Sequence, residues 1–582
     1  MNSGNRAEAS RHVILSRHAC RVLWRHTCLA FAAVAICFIY AGDAPPGVNE
    51  AHYWVKSQNF WDPSHLPGDV FASSGKAHAF FYATFGWLNR VLTLEAAVWC
   101  GRLIGWLMLA IGLLRLCRVV MGSSSWALLV LPLWITLMSI GHLAGEWVVG
   151  GIEAKVPAYG LVLLGLASFC DGRRDLAWVC WGAASAFHVL TGGWTVLAGF
   201  FALAIRTLLT NDRLVIGRGE LICLVIGAAL SLLGLLPALA MSGDDPETAL
   251  RAARTYTYFR IPHHLLPSSF PAIAWVRFSV LAAASLWVAK VWSRRLKESK
   301  AASLKGPQVP AHDQQLSHDR QLSARGRLAE FTVGVSLITL LGCGVGLLPA
   351  VAPDWGARWL RFYWFRIGDA MLPLVLAIGL CQFARDSRTR QVRARRRIAL
   401  GLIVSGLMLF AGLSVSQMRD GIPVSVRHRL LGVDRGANRQ ELAASFRDWQ
   451  KVCDWVRRST PADEALLTPR HQQTFKWYAG RAEIVNWKDV PQDADSLLEW
   501  RRRMREIYPV RLNQNRVPIG YGILLDFRKR YDVRMMVVDR RVVGMDLPLK
   551  KLYPRRDSQN THYAVYELPM PPAVLGRGKM RF

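Results

Sequence analysis

Apolar runs and basic loops alternate along almost the whole chain. Residues 1–26 are polar and carry Arg6, Arg11, Arg17, Arg21 and Arg25, and residues 27–42 are apolar. Further apolar runs occupy 95–117, 124–141, 155–170, 177–190, 194–209, 220–241, 271–293, 329–350, 368–384 and 398–416. A helix needs roughly 20 apolar residues to cross a bilayer, so the pattern predicts a multi-pass α-helical membrane protein with about eleven transmembrane helices. Gly192-Gly193 separates the runs 177–190 and 194–209 and predicts a tight hairpin there.

Every second loop is basic: Arg115 and Arg118, Arg173 and Arg174, Arg206 to Arg218, Arg294 to Lys300, and residues 385–397. Cytoplasmic loops carry such an excess of Lys and Arg. The N-terminus (1–26) is therefore expected in the cytoplasm, the transmembrane domain over 27–416 in the cell inner (cytoplasmic) membrane, and the long loop 43–94 outside. A basic start before a short apolar run is also the layout of a secretory signal. No small-x-small site precedes Pro45, which favours a retained anchor. Residues 294–328 are rich in Lys, Gln, Ser and His and read as a disordered cytoplasmic linker.

Residues 417–582 contain no spanning run and follow the last outward crossing. RDWQKVCDWVRRSTP reads as an amphipathic helix stopped at Thr460-Pro461. EALLTP, EIVNW, MMVVDRR and HYAVYEL read as strands, with helices HQQTFKWYAG, LLEWRRRMREIY and GYGILLDFRKRYDV between them. Alternation of this kind predicts a small extracytoplasmic α/β domain.

Charge changes this picture little. The 582 residues include 72 Lys and Arg, with a net charge of +31. A nucleic-acid binder can look like this. Here the basic residues flank apolar runs, so topology accounts for them, and the expected partner is the lipid bilayer and no nucleic acid. The eleven Cys show neither metal nor disulfide spacing.

The outer loops hold the candidate chemistry. Loop 43–94 sets Glu50, His52, Asp62, His65, Asp69 and His78 among many aromatic residues, and ordered loops of this composition carry function. HLAGEWVVGGIEAK places Glu146, Glu153 and Lys155 at the membrane boundary, where charges must be paired or wetted. Glu153 and Lys155 could simply neutralise one another. PDWGARWLRFYWFRIGD interleaves Arg358, Arg361 and Arg366 with aromatics. It reads either as an interfacial belt or as a phosphate clamp. His188 lies near the outer end of its segment, as a packing residue or a site residue. In the C-terminal domain Arg470, His471 and Lys476 follow a strand end and read as a solvated basic face, with ligand binding the alternative.

The order of these parts resembles the GT-C superfamily of membrane glycosyltransferases. NEAHY at 49–53 stands after the first helix, where the family has an acidic motif, and Glu50 is the matching acid. Glu146 or Glu153 matches a second acid in a later loop, and RFYWFRIGDAMLP resembles the family's Arg-aromatic segment. The chain is also similar to a bacterial membrane family known as a domain of unknown function. The resemblance implies transfer of a sugar from a polyprenyl-phosphate carrier to an extracytoplasmic acceptor. It casts Glu50 and Asp69 as catalytic, and His52, Glu146, Glu153, Lys155, Arg358, Arg361 and Arg366 as substrate-binding. Asn49 stands where many members have Asp, and a divalent metal stays open at this motif. The alternatives are a transporter or flippase for a lipid-linked substrate, and a non-catalytic scaffold whose C-terminal domain binds a partner.

Overall fold

A computed structural model of the chain describes residues 3–47, 49–210, 215–303, 312–385, 390–418, 422, 437–470, 472–508, 520–543 and 546–570. Among these residues nine helices are long and apolar enough to cross a membrane: Cys20–Ala41, Leu94–Met121, Ser124–Gly141, Val189–Leu208, Arg218–Ala240, Ala272–Ala301, His318–Val351, Arg366–Arg385 and Val392–Ser416. The two remaining apolar runs form shorter helices, Lys155–Cys170 and Arg174–Phe187. The protein is a multi-pass membrane protein. Lys155–Cys170 is buried along nearly its whole length, because it packs between Leu94–Met121 and Arg174–Phe187. A helix that is apolar all round belongs in such a position.

The hairpin turn lies elsewhere than expected. His188, with an extended backbone, separates Arg174–Phe187 from Val189–Thr210, and Gly192-Gly193 lies inside the second helix. The glycine serves packing. A Cβ on Gly192 would stand 2.2 Å from the backbone nitrogen of Ser185. A Cβ on Gly182 would likewise stand 2.0 Å from the carbonyl oxygen of Gly227. Small residues let helix backbones approach this closely in a membrane.

The expected linker is helical on both sides of its centre. Ala272–Ser303 and His312–Val345 reach into 294–328, and residues 304–311 lie outside the described residues. Lys, Arg, Gln, Ala and Leu are good helix formers. Extending a helix already anchored by its apolar part needs no new nucleus.

The C-terminal domain is a mixed five-stranded sheet: β1 Ala465–Leu467, β2 Ala482–Glu483, β3 Met535–Asp539, β4 Lys551–Tyr553 and β5 Tyr563–Glu567. The order is β2-β1-β3-β5-β4. The first three strands run parallel, and β5 pairs antiparallel with β3 and β4. Helix Arg439–Ser459 begins with a capping box, Asn438 and Glu441 bonding each other's backbone. Its Trp449, Val452 and Val456 meet Val537 and Val565 on one sheet face. Trp500 and Met504 of helix Ala494–Ile507 meet Met536, Val538 and Tyr566 on the other. The strand period of two sends alternate residues to opposite layers. Only Ala482–Glu483 pairs at the expected strand EIVNW, and β4 is an addition.

The domain is seated on the loops of one membrane face. Ala494 donates its backbone N–H to the Met241 carbonyl at 3.1 Å, and Gly75 donates to Asp493 at 2.9 Å. Ala252, Tyr256 and Phe259, from the loop after Arg218–Ala240, join the Trp500 core.

Close helix contact gives a paired test. Gly182→Val should lower the melting temperature of the purified protein by several degrees, since overpacking costs about 1–3 kcal/mol. Gly193→Ala, which meets nothing within 4 Å, should leave it unchanged or slightly raised. Tryptophan-fluorescence melting in detergent measures both.

Candidate functional site

The site begins at the first residue of helix Glu50–Trp61. Glu50 is buried and forms a bidentate pair with Arg102 of helix Leu94–Met121, Nε to Oε1 at 2.7 Å and Nη2 to Oε2 at 2.6 Å. Its oxygens also accept the backbone N–H of Ile152 at 2.7 Å and that of Gly47. Arg102 spends a further donor on the Asp43 carbonyl. With four donors on its two oxygens, Glu50 has no lone pair directed at a reactant. Glu50 thus clasps the first loop, a membrane helix and the second loop together.

The residues beside that clasp are differently placed. Asn49 donates its amide to Glu153 Oε2 at 2.9 Å. Lys155 stands 3.0 Å from Glu153 and 3.3 Å from Glu146, and Arg366 stands 3.1 Å from Glu146. Both Glu146 oxygens and Glu153 Oε1 are buried without an aligned hydrogen bond. These are charge contacts with capacity left over. Burial alone would raise the Glu153 carboxyl, but Lys155, Asn49 and Arg366 outweigh it and hold it below the ordinary carboxylate value. Glu153 is therefore ionised at neutral pH.

Aromatic rings and further cations surround this group. Arg366 lies over the Tyr363 ring at 3.6 Å, and Lys155 over Trp147 at 3.8 Å. Tyr256 and Tyr363 share a hydroxyl contact at 2.8 Å. Tyr53 stacks on His78, which stacks on His188. Burial pushes the His78 imidazole down to about 4, so it is neutral. Arg260 packs over Trp487 and donates to its carbonyl at 3.1 Å. Burial, followed by Arg260, lowers the Lys488 amine to about 8, while Glu153 and Asp489 pull it up. Among the described residues no carboxylate stands within 4 Å of the charged group of Arg260 or Lys488.

Asp369 holds the second loop in place from the first turn of the largely buried helix Arg366–Arg385. It accepts the backbone N–H groups of Leu143 at 2.7 Å, Ala144 at 2.8 Å and Glu146 at 3.4 Å. His264 meets the Ala144 carbonyl from the other side at 2.7 Å.

A second buried cluster joins the first loop to the C-terminal domain. Lys476 stands 3.1 Å from Asp69, 2.5 Å from Glu483 and 2.7 Å from Asp489. Asp489 also meets His52 Nδ1 at 2.8 Å. Asp69 caps the short helix Val70–Ser73 and accepts the backbone N–H of Glu483. Lys476 is thus interior, and the expectation of a solvated basic face fails there because three carboxylates demand a cation. His471 lies outside the described residues. Arg470 packs over Trp487 at 4.8 Å.

Of the residues the sequence singled out, the structure brings together Glu146, Glu153, Lys155 and Arg366, with His52 and Asn49 behind them. It commits Glu50 and Asp69 to structural contacts. Arg358 is exposed, and Arg361 lies over Phe362 at 6.0 Å. Neither is among the ion pairs of the Glu146 and Glu153 group. Arg102, Asp369, Arg260 and Lys488 were missed. Arg102 had a signal, a lone charge within an apolar run, which must find a partner. No group of three or more His, Cys, Asp or Glu among the described residues could hold a metal ion, and the Glu50 oxygens are filled. The residues at NEAHY do not fit a metal.

Fold and site together define a multi-pass membrane protein whose loops and C-terminal α/β domain enclose a charged cluster at the membrane boundary. Residues 447–507 match a family described as a domain of unknown function (DUF6798). The matched stretch includes Lys476, Glu483, Lys488 and Asp489. No curated protein matches the chain. Among solved structures it is similar to ArnT from Cupriavidus metallidurans in the apo state, with 13% identity, a TM-score of 0.42, and coverage of 95% of this chain and 98% of that one. It is similar also to the same protein bound to undecaprenyl phosphate, with 13% identity, a TM-score of 0.44 and the same coverage.

Two tests follow from the buried charges. Glu50→Gln and Arg102→Met should each strip one side of a buried pair, cost about 3–5 kcal/mol and reduce the yield of folded protein. The double variant should recover part of that loss, as melting and yield will show. Burial and the neighbouring acids raise the Glu483 carboxyl from 4.5 to about 7, against the pull of Lys476. The folded state then holds this proton more tightly than the unfolded one. Its stabilisation is complete below the unfolded value and is lost as pH rises through the folded value. The melting temperature should therefore fall between about pH 5 and 8, and Glu483→Gln should flatten that fall.

Proposed function

We propose that the chain is a glycosyltransferase that moves a sugar from a polyprenyl-phosphate carrier to an acceptor on the membrane face carrying the C-terminal domain. We place it in the inner membrane with its N-terminus cytoplasmic and that domain outside, as the basic loops favour. One observation carries the reading. At the membrane boundary an ionised, partly unsatisfied carboxylate, Glu153, lies among Lys155, Arg366, Arg260 and Lys488, which outnumber Glu146 and Glu153. A surplus of buried and half-buried cations suits an anionic group, and Arg and Lys are the usual donors to phosphate.

In this reading the carrier phosphate sits against the cations, and Tyr53, Trp147 and Tyr363 offer faces to the sugar. Glu153 takes the proton of the acceptor hydroxyl. The new bond forms between that oxygen and the anomeric carbon. The bond from the anomeric carbon to the phosphate oxygen breaks, and its electron pair leaves with the phosphate, where the cations stabilise the growing charge. Glu50 takes no proton here. It fixes where Asn49 and Glu153 stand. The NEAHY motif and the Arg-aromatic segment support the same class by resemblance.

Mass spectrometry of lipid-linked sugars and surface glycans should compare cells with the chain, without it, and with Glu153→Gln. Loss of one glycan with build-up of its carrier-linked sugar is expected without the chain. Glu153→Gln should lower transfer by roughly 10²–10⁴-fold with normal expression. Lys488→Met, which leaves no carboxylate unpaired, should raise the donor KM about tenfold. Identical glycans in all strains would overturn the proposal and direct attention to partners of the C-terminal domain.

A further inference from the structure

A continuous polar chain runs from the C-terminal domain to Glu153. Asp489 Oδ1 stands 2.8 Å from His52 Nδ1, His52 Nε2 stands 3.4 Å from Asn49 Oδ1, and Asn49 Nδ2 stands 2.9 Å from Glu153 Oε2. The four side chains come from three segments: the domain, the first loop, which gives both His52 and Asn49, and the second loop. We propose that Asp489, His52 and Asn49 act as positioning residues for the transfer step, coupling the C-terminal domain to the protonation state of Glu153. The inference rests on the reading of Glu153 as proton acceptor.

The donor and acceptor inventory gives the reason. Lys476 and His52 outweigh burial and hold the Asp489 carboxyl low, so it is ionised and only accepts. His52 Nδ1 must then carry a proton, which turns Nε2 toward Asn49. While Glu153 is ionised it also only accepts, so Asn49 must present its NH2 to Glu153 and its oxygen to His52. A neutral His52 has a lone pair on Nε2, and two acceptors face each other across 3.4 Å. An imidazolium would close that gap with a hydrogen bond. When Glu153 is protonated it can donate, and the Asn49 amide is better turned round, its oxygen on Glu153 and its NH2 on neutral His52. The amide therefore transmits charge state between Glu153 and His52, and two arrangements are fully satisfied. One has ionised Glu153 with His52 imidazolium. The other has protonated Glu153 with neutral His52.

The surroundings set where His52 titrates. The domain presents Asp489 and Lys488, the second loop presents Glu153, and Phe71 meets the ring edge-on. Burial presses the imidazole down, Lys488 adds to this, and Asp489 and Glu153 oppose it. Both titrating groups are thus coupled to the same amide. The Asp489 end is anchored by Lys476, itself held by Asp69 and Glu483. The domain supplies a fixed negative end to the chain.

The test uses the full chain in native membranes, with the lipid extract of the deletion strain as donor. His52→Gln leaves the Lys476 cluster intact and should lower kcat about tenfold with the donor KM within twofold. The acid limb of its pH profile should carry one ionisation fewer than wild type. Asn49→Ala should behave alike, and the double variant should be no slower than the slower single, because both cut one chain. Asp489→Asn is the third arm, and its melting temperature separates undocking from lost positioning. Wild-type rates and pH profile in His52→Gln, or multiplicative losses in the double variant, would overturn this inference alone. An inactive wild type would overturn the transferase reading and this one with it.

Discussion

The bidentate pair of Glu50 and Arg102 sets the register on which the site depends. Arg102 lies two turns inside a membrane helix, where an unpaired guanidinium would be costly. Its partner must come from a loop, and the loop must bend to deliver it. Once Glu50 is there, its second lone pairs take the backbone of Gly47 on one side and Ile152 on the other. The neighbours are then fixed by chain geometry. Asn49 precedes Glu50, Glu153 follows Ile152, and these two meet at 2.9 Å. A carboxylate filled by four donors is poor chemistry and good architecture. The next acid along, Glu153, is held more loosely, with Asn49 on one oxygen and Lys155 3.0 Å from the other.

The same logic seats the C-terminal domain. Three carboxylates around Lys476 would leave two net negative charges in a buried space. Two features relieve this. Glu483 is raised to about 7, so it holds its proton through much of the neutral range. His52 offers a hydrogen bond to Asp489 from the first loop. The domain alone therefore has an incomplete set of partners, and the loop alone leaves Asp69 with the Ala72 N–H but no cation. Each half is satisfied by the other. Apolar contact adds to this: Tyr256 and Phe259 enter the Trp500 core, and Trp477 of the domain joins the membrane core.

Periodicity and charge made the membrane part legible because a bilayer imposes one rule on every crossing, an apolar run ending in polar residues. The exceptions show where that rule stops. Gly192-Gly193 has turn chemistry, but Gly192 lies where two backbones nearly touch, and the break falls at His188 instead. The 294–328 stretch has a disordered composition, yet its described parts, 294–303 and 312–328, continue anchored helices. The site was half legible. Glu146, Glu153, Lys155 and Arg366 stood out as charges at a boundary. Glu50 stood out equally and has another role, since sequence shows a charge and hides its partner. Arg260 and Lys488 gave no signal, because one comes from a loop and the other from the C-terminal domain, both far from Glu153 along the chain. Tertiary closure of that kind has no local period.

The placement of the polar groups also ties the site to the most enclosed helix. Arg366 and Asp369 open the helix Arg366–Arg385, which is the most enclosed of the spanning helices, while Arg218–Ala240 and Val392–Ser416 are largely uncovered. Groups that must hold geometry are thus on the central element, where packing locks rotamers. Asp369 extends that rigidity to the second loop through three backbone bonds, and the loop carries Glu146 and Glu153. Arg260, on the loop after Arg218–Ala240, and Lys488, on the C-terminal domain, have no carboxylate within 4 Å among the described residues. An anionic headgroup entering between them would complete the pairing that the protein leaves open. The acids of the site, with Lys155 and Arg366, are thus tied to the central helix, while Arg260 and Lys488 reach the site from a loop and from the C-terminal domain.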